Sequence, residues 1–149
     1  MSLKVRAKNE CYSGEFSEAL VVDFTGKEQA PLQMKPLVTT LDNCSVIIQW
    51  EKPVSKDSPI KRYDIEISGE GNAFYTLNEN CSGVDKKQCS VLLSTLVKPP
   101  YLLREGDLII ARGSAKNDNG WSKLSAPNLD GAYMIQIAPV IDELNLIEK

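Results

Sequence analysis

The sequence of 149 residues contains no histidine. That absence removes the commonest general base, the commonest zinc ligand and every Ser-His or Cys-His nucleophile pair. No two of the four cysteines stand at the close spacing of a zinc half-site, so neither a metal nor a cofactor is expected. Long apolar runs are missing too. The longest, of which Ala19–Val22 and Leu108–Ala111 are examples, are far too short to cross a bilayer. The first twenty residues carry charges throughout and hold no apolar signal core, so a secretion signal is expected upstream or already removed. Lys and Arg number 17 against 20 Asp and Glu, for a net charge of −3, and no basic cluster stands out. Nucleic acid is therefore not an expected partner. The carboxylates are scattered, and no facing pair can be placed, so a hydrolase finds no support and no enzyme is expected.

What is present has the composition of a globular protein, 42% apolar and 25% charged. The stretch from Asp107 to Asn128 organises the reading. Ile109, Ala111, Gly113 and Ala115 alternate with Ile110, Arg112, Ser114 and Lys116, a strand pattern. Asn117-Asp118-Asn119-Gly120 tolerates positive φ and permits a tight reversal. The chain resumes at Trp121 and is interrupted at Pro127. A similar hairpin stands near the start. Ala7-Lys8-Asn9 matches Ala115-Lys116-Asn117, Ser17 matches Ser125, and Ala30-Pro31 matches Ala138-Pro139, all at one offset of 108 positions. A register shared over about 25 residues predicts an internal repeat. Residues 1–30 then form the last two strands of a preceding repeat, 31–137 a complete domain, and 138–149 the first strand of a following one. Such a chain is either part of something longer or a subunit completed by its neighbour.

Within the middle domain the pattern predicts strands over 32–40, 44–50, 60–68, 73–77, 88–93, 107–117 and 131–137, with a turn at Asp42-Asn43. About seven short strands at intervals of roughly 8–15 residues, with no helical period, indicate an all-β immunoglobulin-like sandwich.

Val46-Ile47-Ile48-Gln49-Trp50-Glu51-Lys52-Pro53 resembles the second strand of a fibronectin type III domain, with its core Trp followed by Pro. Ile60-Lys61-Arg62-Tyr63-Asp64-Ile65-Glu66-Ile67 resembles the third. Leu96, Gly106, the alternating run to Asn117, then Gly120 and Ser122 resemble the last two. The resemblance covers about 105 residues and implies a fibronectin type III antiparallel sandwich with Trp50, Tyr63, Ile65 and Ile109 in its core. Two departures stand out. The family usually has a Tyr where Ile109 stands, so its tyrosine corner is missing, with Tyr101 an open candidate for the role. Gly113 replaces a branched apolar residue and is expected to leave space beside Trp50. The pair Cys81…Cys89, the Leu-x-x-Pro-Pro-Tyr crossing and the Asn-Gly-Trp-Ser hairpin are similar to a variant in large secreted repeat proteins of ciliates and other protists.

Several residues are candidates for more than packing. Cys81 and Cys89 lie eight apart across a polar loop that a hairpin can close, an intramolecular disulfide contributing about 2–3 kcal/mol. In the resembled fold Cys11 lies at a hairpin tip and Cys44 at the opposite end of the next domain. They are far apart within one chain but adjacent between copies stacked head to tail, so either they form an intermolecular bond or they stay as separate thiols. Asn43-Cys44-Ser45 and Asn80-Cys81-Ser82 are N-glycosylation sequons in turns. Trp121-Ser122-Lys123-Leu124-Ser125 resembles the Trp-Ser-x-Trp-Ser box of cytokine receptors, with Leu124 in place of the second Trp. An ordinary last-strand start is the simpler reading. Arg112-Gly113-Ser114 lacks the acid of an integrin motif.

The resulting expectation is an extracellular structural or adhesion protein, one repeat unit of a filament or coat. It passes load through short linkers such as Gln29-Ala30-Pro31 and Ile137-Ala138-Pro139. It self-associates head to tail, by the intermolecular disulfide or by strand exchange of Pro139–Ile147. The alternatives are a ligand-binding receptor ectodomain and a non-catalytic module of a secreted enzyme.

Overall fold

Residues that alternate apolar with polar bury one side only if two such surfaces meet. The structure, a computed structural model, describes residues 2–4, 6, 11, 14–18, 20–21, 28–77 and 81–137. Near the start, β1 (Ser2–Leu3) pairs antiparallel with β2 (Leu20–Val21), placing Leu3 opposite Leu20. One sheet of the middle region contains β3 (Val38–Asp42), β4 (Ser45–Gln49) and β7 (Gln88–Leu92), in the order β3-β4-β7. The other contains β5 (Arg62–Ser68), β6 (Phe74–Thr76), β8 (Ala111–Asn117) and β9 (Gly120–Trp121), in the order β6-β5-β8-β9. All these pairings are antiparallel.

Alternation decides which side is buried. Val46 and Ile48 of β4, with Trp50 just beyond, face Tyr63, Ile65 and Ile67 of β5 across one apolar core. Trp50 and Tyr63 meet with ring centroids 5.5 Å apart. Ile109 is fully buried in the same core. Each such side chain contributes about 1.5–3 kcal/mol by leaving water. Two stacked antiparallel sheets make this a β-sandwich of the immunoglobulin-like, fibronectin type III kind.

Several boundaries differ from the sequence expectation. The first strand of the domain pairs only over Val38–Asp42, not from 32, since Pro31 and Pro36 cannot donate to a ladder. Leu32 instead donates its N–H to Val54 O at 2.9 Å. The reversal after β3 falls on Asn43 and Cys44, with Asp42 opposite Ser45 and Asn43 at φ 52°. Leu93–Leu96 forms one turn of α-helix, α1, where none was expected. It buries Leu93 and Leu96 over the end of the core. The strand expected from 107 divides. Leu108 and Ile109 pair with the 132–134 segment through a bridge from Leu108 to Tyr133 and a 2.8 Å bond from Ile109 N to Ala132 O, and the β8 ladder starts only at Ala111.

Gly113 leaves no space beside Trp50, contrary to expectation. A Cβ there would lie 2.9 Å from Ile65 Cδ1 and 3.5 Å from Leu37 Cδ1. Ile65, its direct partner on β5, and Leu37 fill the volume that a side chain at 113 would need.

At the position of the missing tyrosine corner stands another device. Asn128 accepts the Ala111 N–H on Oδ1 at 2.6 Å and donates through Nδ2 to Ile109 O at 3.1 Å and Asp130 O at 2.8 Å. Thr39 Oγ1, 3.5 Å from Asn128 Nδ2, accepts the Ala132 N–H at 3.0 Å. Thr39 and Asn128 are both buried, and they join β3 to the opposite sheet. Tyr101 does not supply the corner. It packs edge-on against Tyr75, with centroids 5.9 Å apart.

Between Trp121 and Asp130 every third residue is buried: Ser122, Ser125 and Asn128. Their N–H groups donate to the carbonyls of Ala115, Gly113 and Ala111. The N–H groups of those same three residues donate back to Ser122 Oγ, Ser125 Oγ and Asn128 Oδ1 at 3.0, 3.0 and 2.6 Å. Three residues here match two of β8, the period of polyproline II rather than of a pleated strand.

Two substitutions check this packing by urea unfolding. Asn128→Ala strands one buried N–H and two carbonyls and should cost on the order of 3 kcal/mol. Gly113→Val overfills the site and should cost about 1–3 kcal/mol. A neutral Asn128→Ala or a stabilising Gly113→Val would contradict the account.

Candidate functional site

Charged residues on the outer face of the β5–β8 sheet serve that face itself. Arg112 pairs with Glu66 at 2.5 Å and lies 3.8 Å from the centre of the Phe74 ring. The Asp64 carboxyl is pushed above its ordinary value, by desolvation first and the neighbouring Glu66 second, with Arg62 acting the other way. A raised carboxyl is where acid chemistry would be sought. Asp64 instead lies on the outer face of a paired strand, opposite Ser114. Among the described residues no group of three or more Cys, Asp and Glu could hold a metal ion. None of the described helices is long and apolar enough to cross a membrane.

The two ends of the sandwich carry more information. Cys44 precedes β4 and the 51–59 loop follows it, so these features sit at opposite ends of that strand. At the loop end, the hairpin tip expected at 117–120 holds the incoming chain. Gln29 donates its N–H to Asp57 Oδ2 at 2.9 Å. Its carbonyl accepts from Asn117 Nδ2 at 2.8 Å and Asn119 Nδ2 at 3.2 Å. Asn117 Nδ2 also reaches Ser55 Oγ at 3.0 Å. Asp118 forms an ion pair with Lys61 and accepts from Ser58 Oγ at 3.1 Å. The Asn-rich tip, which the sequence marks only as a reversal, is thus a clamp on the chain at Gln29. A signal for it exists: short amides suit turns and still have both functions left to bond.

At the other end the Asn43-Cys44 turn is exposed. Cys44 lines an apolar groove of about 430 Å³ with Leu92, Leu93, Ile135 and Ile137. Ile135 also borders a shallower trough along β3, beside Val38, Leu41 and Tyr133. Of these, Leu92 is 57% and Val38 54% exposed, so among the described residues none caps this apolar surface. Sequence reasoning missed this groove because it joins residues from three separate segments.

The structure places the expected site residues as follows. Cys81 and Cys89 form a disulfide with Cα atoms 5.2 Å apart, and Cys89 stands opposite Ile48 in the ladder. Cys11 and Cys44 are both exposed, and neither belongs to that bond. Asn43 is exposed at its turn, its amide 3.2 Å from Asp42 Oδ1. Trp50, Tyr63, Ile65 and Ile109 are all buried. Asn80, the strand expected within 138–149 and residues 10, 12 and 13 of the first hairpin's tip, expected at 10–15, lie outside the described residues. Trp121 does have a cation over its ring, Lys116 Nζ at 5.6 Å from the centroid. Ser122 and Ser125, however, spend their hydroxyls on β8, an internal role.

No family model and no curated protein matches the sequence. Solved structures do. The sixth fibronectin type III domain of human fibronectin type III domain containing protein 3 superposes with a TM-score of 0.55 at 17% identity, over 74% of this chain and 92% of that one. The twitchin kinase region of C. elegans gives 0.53 at 19% identity, over 72% and 17%. A structure of titin domains gives 0.52 at 18%, over 72% and 34%. The chain therefore spans 34% of the titin structure and 17% of the twitchin one, each of which holds several modules. At these identities the likeness shows the fold alone, that of a fibronectin type III domain. None of the three supports a protist source.

The clamp has a pH signature. Hydrogen bonds from Lys61 and then Ser58 hold the Asp118 carboxyl below its ordinary value of 3.8. A depressed carboxyl contributes stability above the unfolded-state value, and loses it as pH falls through the folded one. An NMR titration should place the Asp118 midpoint below 3.8, and Lys61→Met should move it upward. An unmoved midpoint would mean that the ion pair does not form.

Proposed function

We propose that this chain is a structural module of an extracellular array, joined to its neighbours end to end and without catalysis of its own. One observation carries the reading. Leu3 pairs with Leu20, and 108 positions further on Asn128 donates its N–H to Ala111 O. Positions 108 apart thus face each other at both places, which supports a preceding copy of the fold over 1–30. The clamp on Gln29 supports a stiff joint, since it fixes the chain where it enters the next domain. The Cys81–Cys89 disulfide supports an oxidising compartment outside the cell.

In this reading Cys11 of one copy bonds Cys44 of the next. Two thiols release two protons and two electrons to a small-molecule disulfide such as oxidised glutathione. Residues 139–147 then add as a strand beside the β1–β2 pair of a neighbour, which among the described residues forms a sheet of two strands. A second reading, a non-catalytic module beside an enzyme, is favoured by the twitchin structure, which is a kinase region.

Non-reducing electrophoresis and sedimentation of the full chain test the array. A ladder that collapses with reductant, and disappears in Cys11→Ser or Cys44→Ser, is the expected result. A monomer under oxidising conditions would overturn the covalent joint. Assembly that survives deletion of 138–149 would overturn the strand exchange.

A further inference from the structure

The tip that clamps Gln29 contains the one Asn-Gly pair of the sequence, Asn119-Gly120. We propose that this pair is a self-acting modification site: Asn119 loses ammonia in water, and its conversion releases the clamp on Gln29 and loosens the chain where it enters the domain. The inference stands on the clamp alone and not on the array reading above.

The tip separates one reactive amide from its neighbours. An asparagine deamidates when the next backbone nitrogen reaches its Cγ, and a following glycine, with no Cβ, leaves that approach clear. A Cβ at Gly120 would meet nothing within 4 Å. Asn119 is partly exposed, and among the described residues its side chain makes one bond, from Nδ2 to Gln29 O at 3.2 Å. Asn117 is the contrast. It is buried, its Nδ2 is held by Gln29 O at 2.8 Å and Ser55 Oγ at 3.0 Å, and its Oδ1 accepts the Asn119 N–H at 2.8 Å. Asn128 is buried with both ends of its amide bonded. Asn43 and Asn72 precede residues that carry a Cβ. Gly120 opens β9, a strand of two residues, so its end pair with Asn117 parts at little cost.

The chemistry balances with water as the co-reactant. The Gly120 nitrogen forms a bond to Asn119 Cγ and gives up its proton. The Cγ–Nδ2 bond breaks, and Nδ2 leaves as ammonia with that proton. Water then opens the cyclic imide. It breaks either the new nitrogen–Cγ bond, leaving an aspartyl side chain, or the backbone nitrogen–carbonyl bond, leaving an isoaspartyl link. One water is consumed, one ammonia is released, and nothing is oxidised or reduced.

Both products undo the clamp. The donor that faced Gln29 O becomes a carboxylate, which cannot donate and repels the carbonyl. Gln29 O then keeps the Asn117 bond alone. Gln29 also donates its N–H to Asp57, so a second carboxylate stands against the same residue. The isoaspartyl link further lengthens the backbone of a reversal that joins the paired residues Asn117 and Gly120, so their register is lost as well.

The purified full chain, held in mildly alkaline buffer below its unfolding temperature, tests the site. Peptide mapping by mass spectrometry should find Asn119 converted severalfold faster than any other asparagine, with part of the product isoaspartyl. The backbone NMR order parameter of Gln29 should fall in the converted chain and in Asn119→Asp, while those of β5 stay unchanged. Asn119→Gln keeps an amide but sets its carbon one bond further from the Gly120 nitrogen, and should stay unconverted. Asn119→Ser is the second resistant variant if Asn119→Gln folds poorly. Asparagines converted at even rates would overturn the site. Conversion of Asn119→Gln at the wild-type rate would overturn the imide route. A Gln29 order parameter unchanged in the converted chain or in Asn119→Asp would overturn the release.

Discussion

The sandwich closes on one side chain. Asn128 satisfies an N–H and two carbonyls from the segments around it, and it reaches Thr39 across 89 positions of sequence. Without such a tie the end of the 106–110 segment and the 130–132 segment would bury polar backbone with no partners, a cost that apolar packing alone does not repay. The neighbouring contacts then follow. Gly131 must lack a side chain because a Cβ there would run into Thr39 Oγ1, and its φ of 134° suits glycine alone. Ile109 can be an aliphatic residue in place of an aromatic one because the tie is made elsewhere.

Local patterns were legible, and long-range ones were not. The alternation at Val46, Ile48 and Trp50 and at Tyr63, Ile65 and Ile67 announces both strands and their buried sides, since pleat period and burial are the same signal. The reversal at Asn117–Gly120 could be read from residue types. Gly113 misled because an empty position in sequence says nothing of how far Ile65 and Leu37 extend toward it. Leu93–Leu96 is too short for a helical period to register. The tie through Asn128 and Thr39 depends on two ordinary polar residues meeting from distant segments, and no pairwise pattern marks them. The groove beside Cys44 was hidden for the same reason.

The two ends of the domain differ in kind. One is polar and stitched by the amides of Asn117 and Asn119 to the arriving chain. The other is apolar around Leu92 and Ile137. A body with unlike ends has a direction.

The three-residue rhythm beside β8 bears on crowding. A pleated border shows donors and acceptors outward at every second residue and so can template another chain. In the 121–130 segment the backbone rotates by about a third of a turn per residue, and its outward groups never line up in a row. Along that flank, molecules at high concentration can touch without zipping together, so sheet extension is discouraged at that border.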